Sequence, residues 1–475
     1  MDESRRTTGL RALLLSAVGV FALLGGVAAA SALSLPFGAR LVIALAGFVG
    51  YVLLLGTALD ERFRLDRRWR HEPPSRGSWG GTRPPRGSGD GDVPPAPLLC
   101  AVAVAGVVAF SPAASAAEIE GTEEPATAPA PAAEAEKPGF LSGVKLSGFV
   151  DVYAAYNANR PASRDSFLPG TGSTAKKANQ LGLNLVEVEA VRDPEPLGFR
   201  VALNWGTATD VIHAGEPTGT GVGPEVWKVV QYASISWKVP GSEVLLEGGI
   251  FPSHVGAEAY FSKDNPHYTR SFVAEYTPWY QAGIKATAPL GKGFTGQLHL
   301  LNGWQVVGDN NDGKTIGAGL GWSSGNVDVG LNGLAGPELP DDTSHWRTFG
   351  DLVATWRATP TLTVTGEFDA GSQSRPGLDP ATWWGAFVSA RAALGEKSAV
   401  ALRAERFSDP EAGISGFEQK IWGVTATFEH RPVPRLILKL DVRYDESTAP
   451  LFDGPVEGEG RESQFLAVVG AVATF

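Results

Sequence analysis

The chain has 475 residues, of which 43% are hydrophobic and 9% aromatic, and it contains a single cysteine. One cysteine excludes a disulfide framework, and a formal net charge of −11 argues against nucleic acid as a partner. The 59 glycines suit an exported protein built from strands and turns.

Residues 1–96 differ in character from the rest of the chain. Two apolar stretches, 13–35 and 41–59, have the length of transmembrane helices, and arginines lie outside both. This pattern predicts a helical hairpin with both ends in the cytoplasm. Two interpretations remain open: a translation start placed too far upstream, so that this region is not made, or a membrane leader removed with the signal. We favour the first, because a helical hairpin has no role in the strand-rich body that follows.

Residues 97–117 resemble a secretory signal. An apolar run is followed by Ala-Ser-Ala at 114–116, the small-residue pattern of a cleavage site, so cleavage is expected near Ala116 or Ala117. Residues 118–140 are rich in Ala, Pro and Glu and predict a disordered linker. We therefore expect a protein exported with an N-terminal signal.

From residue 141 to residue 475, short segments alternate between apolar and polar residues and are separated by turn residues. Near the end of the chain, Leu438 and Leu440 share one face of such a segment, and Lys439 and Asp441 share the other. A face lined with charges is too polar for a protein core. It suits a water-filled lumen, with the apolar face turned toward lipid.

Sixteen such segments are predicted, and their connections are short on one side and mostly long on the other. They lie near 144–157, 179–192, 197–208, 226–239, 242–252, 278–288, 293–304, 314–322, 326–335, 346–357, 361–371, 382–394, 397–407, 419–430, 434–445 and 464–475. This layout predicts an all-β fold, a transmembrane antiparallel up-and-down β-barrel of about sixteen strands. Its long loops would be extracellular, its short turns periplasmic, and its location the bacterial outer membrane.

The last segment ends on Phe475, which we expect to close the barrel against the segment 144–157. Aromatic residues cluster near segment ends, where interfacial girdles belong. They are Trp205, Trp227, Trp237, Trp279, Tyr280, Trp304, Trp322, Trp346, Trp356, Trp383, Trp422 and Tyr444.

Several short motifs, in order, resemble the OmpL-like β-barrel porin family, also called porin-2. They are Leu-Ser-Gly-Phe-Val-Asp-Val-Tyr at 146–153, Gly-Ile-Phe at 249–251, Gly-Ala-Glu at 256–258, His-Tyr-Thr-Arg-Ser at 267–271, Gly-Ile-Lys-Ala at 283–286, Leu-Asn-Gly-Trp at 301–304, Asp-Asn-Asn-Asp-Gly-Lys-Thr at 309–315, Arg-Ala-Glu-Arg-Phe at 403–407, Arg-Tyr-Asp at 443–445 and the terminal Phe475. The resemblance covers about residues 141–475. It implies a porin-like outer-membrane channel, and it transfers no catalytic residue.

The third long connection, 252–278, is the candidate functional site. In sixteen-stranded porins the third outer loop commonly folds inward and narrows the pore, and this loop is rich in charged residues and histidines. We predict a constriction formed by His254, Glu258, Lys263, Asp264, His267 and Arg270, with an ordinary mobile surface loop as the alternative. The facing wall charges would include Arg200, Glu247, Lys285, Asp351, Glu367, Arg403, Glu405, Lys439, Asp441 and Arg443. Their mixed signs leave the preference for cations or anions open.

Three short motifs match enzyme signatures without the required structural context. Residues 308–315 match a phosphate-binding loop, 321–325 a nucleophile elbow and 291–296 a dinucleotide fingerprint, but none is predicted to open a helix. The Asp and Asn residues of 308–315 could hold Ca²⁺ loosely, although the remaining ligand spacing is missing. We therefore expect no enzyme activity, no cofactor and no metal site.

The pattern as a whole predicts passive diffusion of ions and small hydrophilic solutes through a charged aqueous lumen. One alternative is a non-conducting barrel, plugged by loops or by charge pairs, that acts as an adhesin or envelope scaffold. Another is an outer-membrane hydrolase, but we find no Ser/His/acid cluster on the wall. Expected partners are outer-membrane lipid, lipopolysaccharide and the barrel-assembly machinery, which would engage the C-terminal strand. A homo-oligomer stays open.

Overall fold

The computed structural model describes residues 143–217 and 224–475. The predicted helical hairpin within 1–96, the signal-like segment 97–117 and the linker 118–140 lie outside the described residues. Within the described part of the chain, every helix is too short or too polar to cross a membrane.

The described residues form a closed barrel of sixteen antiparallel strands. Each barrel strand pairs with the barrel strands before and after it in the chain, and the first pairs with the last. The strands are β1 (Lys145–Asn157), β2 (Gln180–Arg192), β3 (Leu197–Trp205), β4 (Val230–Lys238), β5 (Leu245–Pro252), β6 (Tyr280–Gly291), β7 (Phe294–Leu301), β8 (Thr315–Ser324), β9 (Val327–Leu339), β10 (Asp342–Thr359), β11 (Leu362–Arg375), β12 (Leu378–Ala393), β13 (Ser398–Asp409), β14 (Gln419–Val433), β15 (Leu436–Ser447) and β18 (Ser463–Thr474). The predicted fold class and the sixteen barrel strands are confirmed. Two further short strands, β16 (Phe452–Asp453) and β17 (Gly460–Arg461), pair with each other between β15 and β18.

The barrel closes between β1 and β18, which pair antiparallel with Val152 opposite Ala471. Beyond the last strand, the Phe475 N–H donates to the Gly148 carbonyl at 3.0 Å, and the Gly148 N–H donates to the Phe475 carbonyl at 3.2 Å. A Cβ at Gly148 would lie 2.5 Å from the Phe475 ring, so glycine is the residue that lets this ring lie across β1. The last residue of the chain therefore contributes two of the closing hydrogen bonds.

The two faces of each strand follow the predicted alternation. On β15, Leu440 and Val442 are 42% and 40% exposed on the outer face, whereas Lys439 and Asp441 are 2% and 0% exposed on the inner face. An arrangement with apolar residues outside and buried charges inside is the reverse of a soluble protein. It matches a barrel whose outer surface contacts hydrocarbon.

Some connections are shorter than the sequence predicts. Strand β9 extends beyond the predicted end at 335, and β10 begins before the predicted start at 346, so that a turn of residues 340–341 joins them. In the same way, a turn of residues 376–377 joins β11 to β12. Each turn is a proline followed by a residue with positive φ, 55° at Asp341 and 66° at Gly377. Such pairs make tight two-residue turns, so the expectation of long loops at these two places is wrong.

Two of the remaining connections at the same end of the barrel carry short helices. We call this end the loop end and the opposite one the turn end. Helices α1 (Thr207–Ile212) and α2 (Pro224–Trp227) lie between β3 and β4. The predicted third strand therefore stops earlier than 208, where α1 has begun. Between β5 and β6 lie a 3₁₀ turn (Ser262–Asp264) and α3 (Phe272–Glu275).

The aromatic girdle is only partly as predicted. Trp205, Trp237, Trp346 and Trp422 are exposed, as interfacial residues should be. In contrast, Trp279, Tyr280, Trp304 and Trp383 are buried. Trp304, for example, packs edge-on against Phe349 with ring centroids 5.0 Å apart. The girdle assignment is wrong for these four aromatics, because packed interior side chains surround them at the loop end.

Candidate functional site

The connection between β5 and β6, residues 253–279, is here called the third outer loop. At its start, the Gly256 N–H donates to Asp351 at 2.9 Å and the Ala257 N–H donates to Glu367 at 2.6 Å. These acceptors lie on the inner faces of β10 and β11, so the loop is fastened to the barrel wall as soon as it leaves β5.

The middle of the third outer loop is fastened to the wall near the closure. The N–H groups of Tyr268 and Thr269 donate to Asp441 on β15, at 3.2 and 2.8 Å. The Tyr268 hydroxyl donates to Asp151 on β1 at 2.7 Å. Lys439 donates to the carbonyl of Ser262 at 2.7 Å. Backbone groups that a surface loop would leave to water are thus paired with inward charges of the wall.

Glu258 and Arg403 form a buried ion pair between this loop and β13, at 2.6 Å. Arg403 also donates to the carbonyl of Thr269 at 2.9 Å, and Glu258 accepts the N–H of Ser271 at 2.7 Å. Burial alone would raise the pKa of Glu258, but Arg403 and Arg270 hold that pKa below its usual value. Glu258 is therefore an anion that ties two turns of the loop to one wall arginine.

A second buried charge group continues along β13 and β15. Arg443 donates to Asp445 at 2.8 and 2.9 Å and lies 3.2 Å from Glu405. Glu405 in turn accepts the N–H of Phe272 at 2.5 Å. Arg443 also donates to the carbonyl of Arg270. Since Arg443 and Glu405 are both buried, their charges are used in holding the loop and are withdrawn from water.

Two histidines of the loop are buried and hydrogen-bonded. The His267 ring bonds Thr427 at 2.7 Å and Ser389 at 2.8 Å. Burial, and then the charges of Arg403 and Lys439, hold the pKa of His267 well below its usual value.

His254, near the start of the loop, stacks on His299 of β7 with ring centroids 3.9 Å apart and bonds Gln281 at 3.1 Å. Burial lowers the pKa of His254 to about 4. Both loop histidines are therefore neutral near pH 7 and act as packing and hydrogen-bonding groups.

The predicted site residues do not form one assembly. His254, Glu258, His267 and Arg270 are buried against the wall, whereas Lys263 and Asp264 pair with each other at 2.7 Å and remain partly exposed. Of the predicted wall charges, Asp351, Glu367, Arg403, Glu405, Lys439, Asp441 and Arg443 all touch the loop or one another. Arg200, Glu247 and Lys285 lie apart from this group.

Those three wall residues form separate pairs on the inner face of β2 to β6. Lys285 binds Glu247 at 2.7 Å, and Arg200 donates to Glu189. Their side chains keep between 13% and 32% exposure, more than the buried group under the loop. They line the part of the interior that remains accessible.

Sequence reasoning missed Asp151 and Glu275. Asp151 alternates with Phe149 and Tyr153 on the inner face of β1. This period-two alternation is the sequence signal that could have identified it as an inward-facing residue. Glu275 of α3 accepts the N–H of Gly172 at 3.0 Å and the Ser173 hydroxyl at 2.7 Å, which joins the third outer loop to the first. Burial raises the pKa of Glu275. No periodic signal marks this contact, because it joins two irregular segments.

A family model described as Putative beta-barrel porin-2, OmpL-like, matches residues 143–475. No curated protein sequence matches the chain.

Among solved structures, an anion-selective porin from Comamonas acidovorans is 14% identical, with a TM-score of 0.46, over 70% of this chain and 99% of that one. The outer membrane channel DcaP of Acinetobacter baumannii is 12% identical, with a TM-score of 0.47, over 70% and 97%. OmpT of Vibrio cholerae is 9% identical, with a TM-score of 0.45, over 70% and 97%. These values are too low to transfer a selectivity or a solute to this chain.

Proposed function

Because this chain belongs to the beta-barrel porin-2, OmpL-like family, we propose that ions and small hydrophilic solutes cross the outer membrane through it by passive diffusion. Family membership points to a channel rather than to an enzyme. The observation that carries the proposal is the closed sixteen-stranded barrel with apolar residues outside and charges inside.

The third outer loop would set the size of the solutes that pass. Its hydrogen bonds to Asp351, Glu367 and Asp441 hold the backbone inside the wall, so its position should vary little. A loop fixed in this way makes a steric filter without any moving part.

The accessible lumen would discriminate weakly between cations and anions. Its partly exposed cations are each paired with a carboxylate, Lys285 with Glu247 at 2.7 Å and Arg391 with the buried Glu429 at 2.8 Å. A passing ion therefore meets fields that largely cancel within a few ångströms. We expect a reversal potential close to zero in a salt gradient.

A second candidate function, a non-conducting barrel with a role in adhesion or envelope structure, is favoured by one specific observation. The loop contacts inner faces on both sides of the barrel, through Tyr260 to Asn204 of β3 and through Glu258 to Arg403 of β13. Arg403 and Arg443 are fully buried. If these contacts leave no continuous water path, the barrel is a scaffold rather than a pore.

Export and assembly complete the proposal. The segment 97–117 would direct export, outer-membrane lipid and lipopolysaccharide would surround the barrel, and the barrel-assembly machinery would engage β18. The exposed apolar side chains Val469 and Phe465 give that strand the outer face that such an environment needs.

Planar-bilayer recording tests the proposal. We expect discrete conductance steps from the native barrel, and several-fold larger steps after deletion of 255–270. Deletion of 455–458, an exposed tip of the last outer loop, is the control and should leave the steps unchanged. Heat-modifiable migration in gels would verify that each variant is folded.

Two results would count against the proposal. If the native barrel gave no steps while the 255–270 deletion conducted, the non-conducting alternative would be correct. If both conducted equally, the third outer loop would not be the constriction.

A further inference from the structure

Three acidic side chains meet on the inner wall where the third outer loop begins. Asp351 of β10 and Asp369 of β11 are directly opposite in register, and Glu367 lies two residues from Asp369 on the same face. One oxygen from each carboxylate lies within 4.8 Å of the others, and all three residues are buried. We call these three residues the acidic triad.

Two members of the acidic triad already hold neighbouring groups. Asp351 accepts the N–H of Gly256 at 2.9 Å and the side-chain amide of Asn332 at 2.6 Å. Glu367 uses one oxygen to accept the N–H of Ala257 at 2.6 Å. These bonds orient both carboxylates, but a neutral N–H does not cancel a full negative charge.

Asp369 is the unpartnered member. Asp369 is 3% exposed, and its Oδ1 accepts no hydrogen bond, as is also true of Glu367 Oε1. No ion pair joins the triad to a Lys, Arg or His among residues 143–217 and 224–475, whereas Glu258 and Asp445 are each paired with an arginine. Like charges opposite each other in a sheet are destabilising, and so is a buried charge without a partner of opposite sign.

We propose that the acidic triad binds a divalent cation, with Ca²⁺ as the best fit. The donor set consists of oxygen atoms, which hard cations prefer over nitrogen or sulfur. Ca²⁺–oxygen distances of about 2.3–2.6 Å allow two ligands of one ion to lie up to about 5 Å apart, and the triad's oxygens all lie within 4.8 Å of one another. Mg²⁺ requires near-ideal octahedral geometry and usually keeps several waters, so it suits three buried carboxylates less well.

The bound ion would fasten the third outer loop to the wall. The two loop residues hydrogen-bonded to the triad, Gly256 and Ala257, lie near the start of the loop and attach it to β10 and β11. Neutralising the triad strengthens this attachment point, because the acceptors then no longer repel one another. The inference does not rest on conduction, since a conducting and a closed barrel would be fastened equally.

Calorimetric titration of Ca²⁺ into the barrel, refolded in detergent from denatured chain and therefore free of lipopolysaccharide, tests the site at neutral pH. We expect one ion per barrel for the native protein and for the control Glu247→Gln, which removes an inner-wall carboxylate outside the triad. Asp369→Asn should weaken binding about tenfold or more, because it removes one anionic ligand. Glu367→Gln serves as the second variant if Asp369→Asn does not fold.

Thermal unfolding gives an independent test, because removing one acidic side chain should raise the unfolding temperature without Ca²⁺ and reduce the gain in that temperature with Ca²⁺. In chelator, Asp369→Asn should unfold at a higher temperature than the native barrel, because the amide removes one of the repelling charges and can donate to Glu367 Oε1. In Ca²⁺ the native barrel should gain more stability than the variant, because it binds the ion more tightly. The proposal is overturned if Ca²⁺ fails to bind the native barrel, or if native and Asp369→Asn respond to Ca²⁺ alike. The first result would mean that the triad shares protons, and the second that the ion binds elsewhere.

Discussion

His267 is a neutral base placed among buried cations. Its ring is hydrogen-bonded to two hydroxyl groups, those of Thr427 and Ser389. Burial lowers the pKa of His267 most, and the nearby charges of Arg403 and Lys439 lower that pKa further. A second positive charge in this position would oppose the pairs that attach the loop. The attachment of the third outer loop should therefore be sensitive to acid.

The first prediction concerns this residue and pH. The folded pKa of His267 lies below the 6.5 of a free histidine, so below pH 6.5 the unfolded chain binds the extra proton first. The His267 contribution to the free energy of unfolding is complete above pH 6.5 and is lost as pH falls, by up to about 1.4 kcal/mol per pH unit. Urea unfolding in lipid vesicles measures this slope. His267→Gln should flatten it by the contribution of His267, while His254, whose pKa of about 4 gives the same sign, continues to contribute. Equal slopes in the native barrel and the variant would show that His267 is charged when folded.

At the scale of elements, the loops support one another. Helix α3 places Glu275 beneath the first outer loop, residues 158–179, where it accepts three hydrogen bonds from Gly172 and Ser173 within 3.0 Å. In the same loop, Lys176 donates to the carbonyls of Leu168 and Thr171 and is buried. The first outer loop is thus held in a closed form by one carboxylate of the third.

The second prediction is that Glu275→Ala releases the first outer loop. Loss of hydrogen bonds to a charged acceptor costs about 2 kcal/mol. If the protease cuts only molecules in which the loop has opened, this raises the fraction of open loops, and so the cleavage rate, about thirtyfold. Trypsin digestion of the purified barrel, monitored at Lys176 and Lys177, measures the rate. Glu225→Ala is the control, because Glu225 is exposed and, among the described residues, its side chain pairs with Lys228 alone, at 2.7 Å. An unchanged rate in Glu275→Ala would show that the first loop is held by other contacts.

The elements also show what the sequence can predict. Period-two alternation correctly assigns Lys439, Asp441 and Arg443 to the inner face, because a strand has only two faces. It cannot find Tyr268 bonded to Asp151, since 117 residues separate them and one of the two lies in an irregular loop. Tertiary contacts of loops depend on distances across the lumen, and these follow from the closed barrel rather than from any local pattern.

For the molecule as a whole, the surroundings of each face of the sheet determine which residue types that face can carry: lipid lies outside the barrel, and polar groups fill its interior. The outer face of β10 to β15 carries exposed Leu352, Leu402 and Val442, and the inner face carries buried charges. Apolar side chains such as Trp304 and Phe349 also pack inside, but the hydrophobic effect alone cannot hold together an interior that buries so many charges. Backbone hydrogen bonds along the closed sheet, the lipid contact outside and the polar network inside must contribute as well.

The third prediction tests whether the apolar outer face of the barrel contacts lipid, and it uses two neighbouring residues of β10. Ala354 is exposed on the outer face and Thr355 points inward, bonding Thr365 at 3.1 Å. Strand β10 ends at Thr359, five residues after Ala354. At about 3.3 Å per residue and a tilt of about 40°, that is about 13 Å, half of the roughly 25 Å apolar band.

Arginine at Ala354 would therefore face the middle of the hydrocarbon layer and should lower the free energy of unfolding in vesicles by about 2–4 kcal/mol. Arginine at Thr355, at the same depth, faces the polar interior and should cost about 1 kcal/mol or less, since it loses one hydroxyl pair. Urea unfolding of both variants measures the difference. A soluble sandwich would give the opposite order, because its buried face would then be the one carrying Thr355. The sign of this difference reports which face of the sheet contacts lipid, independently of any channel measurement.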